Sequence, residues 1–195
     1  MEDKIKEMYL SAETVDDLIK LGQFIYDAGL APYEYKKNPQ ALTTIIMHGF
    51  TLGLNWSTSV TQLGIIDGNI VCKGDTLLRL VRESGQLEKF EVNYEGDRED
   101  LSCVITIQRK GEEVGYFEYS VAEAKASEII DEYWWKRYPQ RMTYYKALGF
   151  ALRTIFSDIT QGMYVYEEMD MDKVEKKDPT VKDAEIAENT LKHLQ

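Results

Sequence analysis

The stretch WWKRYPQRMTYYKALGFALRTIF, residues 134–156, contains Lys136, Arg137, Arg141, Lys146 and Arg153 and no Asp or Glu. The chain around it is acidic: 34 Asp and Glu against 23 Lys and Arg give a net charge of −11 over 195 residues. Proline is pre-organised for the first helical position, so Pro139 predicts the start of the longest helix, running to about Phe156. At 100° per residue, Met142, Tyr145, Leu148, Gly149, Leu152, Ile155 and Phe156 share one broad apolar face. Lys146 and Arg153 lie together on its edge, roughly two turns and ~10 Å apart. Arg141 projects from the first turn, close to the WWKRY segment. The expectation is a mostly buried helix with a row of cations along one edge and a cation–indole cluster at its start.

Working outward, residues 12–29 read as a helix with Leu18, Leu21, Phe24 and Ile25 inward and Gly29 as its stop. After a loop around Pro32, Asn38 caps a second helix that begins at Pro39 and runs to about Leu54, with Leu42, Ile45, Ile46, Phe50 and Leu54 inward. SVTQLGIIDGNIV (59–71) reads as a β-hairpin about Asp67-Gly68, a pair suited to a type I′ turn. GDTLLRLVRES (74–84) reads as a helix ended near Gly85. LEKFEVNYEG (87–96), LSCVITIQRK (101–110) and EEVGYFEYS (112–120) alternate as three antiparallel strands. Ser120 with Glu123 forms a capping box that opens a helix in SVAEAKASEII (120–130). SDITQGMYVYEEMD (157–170) is irregular or a short extra turn. Residues 180–194 read as a terminal helix after a linker-like flank. The predicted class is α+β: a small antiparallel sheet, hairpin plus three-stranded meander, packed against several helices. The predicted division is a core of residues 1–170, with a helical lobe at 1–57, and an acidic linker and short helix at 171–195.

The composition, 44% hydrophobic, is globular. No apolar run approaches the ~20 residues needed to span a bilayer. MEDKIKEMYL lacks a basic segment followed by an apolar one, so no secretory signal is expected. Cys72 and Cys103 are isolated, which argues for a reducing, cytoplasmic setting rather than a disulfide scaffold. His48 and His193 have no closely spaced cysteines, and phosphate-binding and dinucleotide-binding glycine motifs are missing. No cofactor is expected. A metal-dependent nuclease would draw on Asp67, Asp75, Glu91 and Lys89. The three acids have ordinary roles instead: turn residue for Asp67, helix start for Asp75, and the polar face of a strand for Glu91. The net charge also admits an acidic protein-interaction factor or DNA mimic.

Three ordinary explanations compete for the cationic stretch: pairing with the chain's own acids, tryptophans in the core, and a buried helix that simply excludes carboxylates. The alternative is nucleic acid. Lys and Arg neutralise phosphates and release counterions, and interleaved aromatics give bases a surface on which to stack. Composition alone does not choose between them.

The spacing is more specific. Residues 134–168 resemble the W-x-x-x-P-x-R-M-x-x-x-[RK]-A-x-x-x-A-x-R-x-x-F segment, followed by G-[LI]-Y and acids, of the RecT and lambda Red beta single-strand annealing proteins. Trp135, Pro139, Arg141, Met142, Lys146, Ala147, Ala151, Arg153, Phe156, Gly162, Tyr164, Glu167 and Glu168 carry the match. MHGFTLGLNWSTSVTQLGIIDGNIVCKGDTLLRLVRESG (47–85) is similar to the family's helix ending in G-L, hairpin with N-G, then G-D and a Leu- and Arg-rich helix. The resemblance covers about residues 15–170. It implies a phage or prophage recombinase that binds single-stranded DNA and anneals it to a complementary strand without ATP. It also implies rings or helical filaments, and work beside a phage exonuclease and host single-strand binding protein. Carried over, Arg141, Lys146 and Arg153 are the leading phosphate contacts, with Lys136, Arg137, Lys73, Arg79 and Arg82 behind them. Trp135 either stacks on a base or anchors the helix, with the anchor favoured. Gln140 departs from the pattern, standing where the family often has a cation.

Overall fold

The computed structural model describes residues 12–32, 35, 38–131 and 133–169. The linker and terminal helix expected at 171–195 lie outside the described residues. The chain divides between Val71 and Cys72 into two compact units.

The first unit is built on helices α1 (Ala12–Asp27), α2 (Pro39–Thr51) and α3 (Trp56–Gln62) and the hairpin β1 (Leu63–Ile66) and β2 (Asn69–Cys72). Asn38 caps α2 as expected, its side chain accepting the Ala41 N–H at 3.0 Å, and Pro39 is the first helical residue. Leu18, Ile25, Leu42, Ile45, Ile46 and Leu54 are buried, but Phe24 is exposed. The hairpin begins later than the sequence suggested. Residues 59–62 belong to α3, because the Asn55 side chain accepts the Thr58 N–H at 2.9 Å and caps a helix there. Asp67 and Gly68 both have positive φ, as a type I′ turn requires.

The second unit runs α4 (Gly74–Glu83), β3 (Leu87–Glu95), β4 (Ser102–Arg109), β5 (Gly115–Ser120), α5 (Val121–Ala126), α6 (Tyr133–Arg137), α7 (Pro139–Ile155), α8 (Ser157–Thr160) and the two-residue β6 (Tyr164–Val165). Strands β3, β4 and β5 form the expected antiparallel meander, as a sheet of their own in that order. The hairpin is not part of it, so the strands form separate small sheets rather than one. Register places Cys103 opposite Tyr94 and Tyr119, and Ile105 opposite Val92 and Phe117. That face carries α7, which packs on β4 and β5. The capping box of α5 is complete: Glu123 donates its N–H to the Ser120 hydroxyl and accepts the Ser120 N–H at 2.8 Å. SVAEAKASEII is helical only to Ala126.

Helix α7 has the predicted bounds, and Met142, Tyr145, Leu148, Gly149, Leu152 and Phe156 are buried as predicted. Thr143, Ala147 and Ala151 are buried too, so the covered face is wider than the apolar stripe alone. The segment before it is the one-turn helix α6, and the segment after it, expected to be irregular or a short extra turn, is α8, β6 and a 3₁₀ turn at Tyr166–Glu168.

Candidate nucleic-acid interface

Three elements of the second unit converge on the start of α7. The start of α4 is tied down by Gly74. A Cβ there would sit 2.7 Å from the Tyr145 ring, and the Gly74 N–H donates to Glu167 Oε2 at 3.0 Å. This holds Lys73, the preceding residue, at the surface. Helix α6 is anchored by Trp135, which is 1% exposed and lies against the Tyr119 ring at 5.9 Å. Its neighbours on that turn face outward. The Trp134 ring stacks on Tyr138 at 5.9 Å, with Tyr133 edge-on to Trp134 at 5.1 Å. The Arg137 guanidinium lies 5.8 Å from the Tyr138 ring centre and donates to the Tyr138 hydroxyl at 3.1 Å. Arg141 lies over the Tyr145 ring at 5.4 Å. The first turn of α7 carries no acid, and no side chain caps it.

Two hollows flank Arg141. The smaller, about 350 Å³, is lined by Lys73, Trp134, Tyr138, Arg141, Met142, Tyr166 and Glu167. The larger, about 780 Å³, lies between the β3–β4 turn and α7, with Tyr94, Arg98, Arg137, Tyr138, Gln140, Arg141 and Tyr144 in its wall. Arg141 and Tyr138 belong to both, so the hollows share a wall.

The ion pairs sort the cations. Lys20, Arg79, Lys89, Arg109, Lys125, Lys136 and Arg153 each hold a carboxylate. Lys73, Arg98, Arg137 and Arg141 have no carboxylate partner among the described residues, and all four line the hollows. Arg82, over the Phe90 ring, and Lys110 also hold no carboxylate among the described residues but line neither hollow, so pairing with the chain's own acids accounts for most cations elsewhere and for none of these four.

The predicted site residues separate accordingly. Arg141, Arg137 and Lys73 come together. Arg153 does not join them: both of its terminal nitrogens engage the buried Glu168 carboxylate, and its guanidinium covers the Tyr164 ring at 4.5 Å. Lys146 is half-buried on α7. Arg79 pairs with Glu83 at 3.3 Å along α4, and Arg82 lies over Phe90. Lys136 pairs with Asp131 at 3.0 Å, but both are exposed, and such surface pairs hold weakly. Trp135 is the anchor; Trp134 is the exposed indole. Sequence reasoning missed Trp134, Tyr138 and Arg98 as hollow-lining residues. A five-residue helix gives too little periodicity to say which of two adjacent tryptophans faces in.

Two carboxylates near the hollows behave differently. Burial pushes the Glu167 carboxyl up, while the Gly74 N–H and the Arg141 charge pull it down. Glu168 accepts the Val165 N–H at 2.8 Å besides pairing with Arg153. In the larger hollow, burial pushes the Tyr144 hydroxyl up to about 12, so it stays a neutral donor. Lys89 pairs with Glu91 at 3.1 Å, and among the described residues no group of three or more His, Cys, Asp or Glu is placed to hold a metal ion.

Cations without carboxylate partners, interleaved with exposed rings along two adjoining hollows, are the equipment of a protein that holds single-stranded nucleic acid: charge follows the backbone and rings receive bases. A model of the RecT family matches residues 33–181. The chain belongs to the RecT family, and so is a single-stranded DNA-binding protein that anneals complementary strands in recombination, acting by binding rather than by catalysis. No curated protein and no solved structure matches it.

Proposed function

We propose that one DNA strand lies across the two hollows, with its phosphates on Lys73, Arg137 and Arg141 and a base stacked on the Trp134–Tyr138 pair. The observation that carries this is the grouping of cations: Lys73, Arg98, Arg137 and Arg141, none with a carboxylate partner among the described residues, line two hollows that share Tyr138 and Arg141. Phosphate contacts position a strand without reading its sequence. A strand held by backbone and stacking keeps base edges available, and a complementary strand then pairs through them without ATP. The acidic remainder of the chain repels phosphate and confines the strand to this surface. Lys136 joins the contact set by exchanging Asp131 for phosphate. Lys146 and Arg153 act from behind it, on the same helix.

Residues 1–170 form the annealing core in this proposal. Copies assemble as a ring or helical filament along the strand, in the cytoplasm of a bacterial host of the phage or prophage that encodes the chain. An exonuclease supplies the single strand, and host single-strand binding protein competes for it.

The test is annealing of two complementary labelled oligonucleotides without ATP, with binding followed as a function of salt. Arg141→Ala is expected to weaken binding and lower the slope of log K against log salt by about 0.7–0.9. An Arg141→Ala protein that binds and anneals like the parent removes the proposed path.

A further inference from the structure

The turn EGDRED, residues 95–100, reads in sequence as acid: Glu95, Asp97, Glu99 and Asp100 around a single Arg98. The fold gives that arginine a place the charge count hides. Gly96 has φ 71°, and a Cβ on it would run into the Asp100 carbonyl, so the turn closes tightly on itself. Arg98 follows at φ 51°, a left-handed conformation that a long side chain adopts only at a cost. In that conformation it lines the larger hollow opposite Arg137 and Arg141. Glu99, its neighbour, pairs with Lys125 at 2.9 Å instead. Arg98 has no carboxylate partner among the described residues despite four acids within three positions of it. Gln140, where a cation is expected from the sequence pattern, lines the same hollow.

We infer that Arg98 is a further DNA contact, supplying from the β3–β4 turn the phosphate-binding charge that Gln140 does not supply from α7. The inference rests on the proposed strand path, and it adds a second wall to it. Arg137 and Arg141 hold the strand from the helix side; Arg98 holds it from the sheet side. Asp97 lines the hollow too and opposes phosphate there. The Arg98 wall therefore works against a nearby carboxylate, and neutralising Asp97 strengthens it.

The test measures binding of a fluorescent oligothymidine across a salt series for the parent, Arg98→Ala, Arg98→Gly, Asp97→Asn and Arg141→Ala. Losing one phosphate contact removes a factor of [salt] to the power of about −0.7 to −0.9, a loss of about four- to fivefold at ~0.15 M salt. Arg98→Ala and Arg98→Gly are expected to show that loss with the matching fall in slope, and Asp97→Asn to bind more tightly. Arg98→Gly separates function from folding. Glycine suits φ 51°, so its melting temperature is expected to equal or exceed the parent's while its affinity falls. If both Arg98 variants keep the parent affinity and slope while Arg141→Ala loses them, Arg98 is not a contact and the strand path stands. If Arg141→Ala is also unchanged, the path and the inference fall together.

Discussion

Gly149 makes the space that Glu168 occupies. A Cβ built on Gly149 runs into the carboxylate of Glu168, which sits against α7 to receive Arg153 from one turn further along. The glycine is buried in the middle of a 17-residue helix, where glycine costs roughly 1 kcal/mol relative to alanine. That helix cost is outweighed by the room it leaves for a buried ion pair. Gly149→Ala is therefore expected to destabilise the second unit by about 2–4 kcal/mol, although alanine is the better helix former. Urea unfolding reads this directly. A variant as stable as the parent would show that Glu168 has somewhere else to go.

The pair itself makes the second prediction. Removing one partner of a buried ion pair strands the other, so Glu168→Gln and Arg153→Met are each expected to cost about 3 kcal/mol. The double variant is expected to cost clearly less than their sum, because neither charge is then left alone. The salt slope of DNA binding separates this structural role from phosphate contact. It is expected to stay at the parent value in Arg153→Met, measured where the protein remains folded. A fall in slope like that of Arg141→Ala would return Arg153 to the binding surface.

Two carboxylates shape the pH dependence of stability with opposite signs. Burial raises the Glu167 pKa above its ordinary 4.5, so the folded state binds that proton more tightly than the unfolded state does. Its contribution is fully present below 4.5 and is lost as pH rises through the raised value. Arg109 holds Asp158 below 3.8, gripping it through two hydrogen bonds at 2.7 and 2.8 Å. That contribution is present above 3.8 and is lost as pH falls through the lowered value. Urea midpoints across pH are expected to decline less above 4.5 in Glu167→Gln, and to fall less on the acid side of 3.8 in Asp158→Asn. Parallel curves for variant and parent would remove the corresponding carboxylate from the linkage.

What the sequence revealed follows the range of its interactions. The bounds of α7, the Ser120–Glu123 box, the Asn38 cap and the Asp67-Gly68 turn are set within a few residues, by periodicity, proline and side-chain capping, and all were legible. The Arg153–Glu168 pair was not, because it forms only after the chain reverses through α8 and β6. Nor was the position of Arg98, since a turn rich in acids gives no sign of which way its one cation points. Phe24 falls on the apolar stripe of α1 yet is exposed, and periodicity does not say how wide a face the neighbouring helix covers. The cationic stretch was visible as a stretch without acids. Which of its cations are free depends on long-range pairing, and that only the fold reveals.

Trp134 and Trp135 are adjacent, and the one-turn helix that holds them gives them opposite fates. Trp135 is fully buried against Tyr119, and truncating a buried tryptophan costs about 3–5 kcal/mol. Trp135→Ala is expected to lose that much stability, and Trp135→Phe distinctly less, because a ring still meets Tyr119. Trp134 is 38% exposed and stacks on Tyr138, so Trp134→Ala is expected to leave the urea midpoint nearly unchanged. Its loss should appear in DNA binding instead: a stacked base contributes about 1–3 kcal/mol, or roughly five- to 150-fold in affinity. That loss should be insensitive to salt, because stacking releases no counterions. Tryptophan emission supplies the cross-check. Oligothymidine is expected to quench fluorescence in Trp135→Phe, which keeps Trp134, and to quench it much less in Trp134→Phe. Equal quenching in both would mean that the strand does not pass over the Trp134–Tyr138 stack, and the path would then have to run along the larger hollow alone.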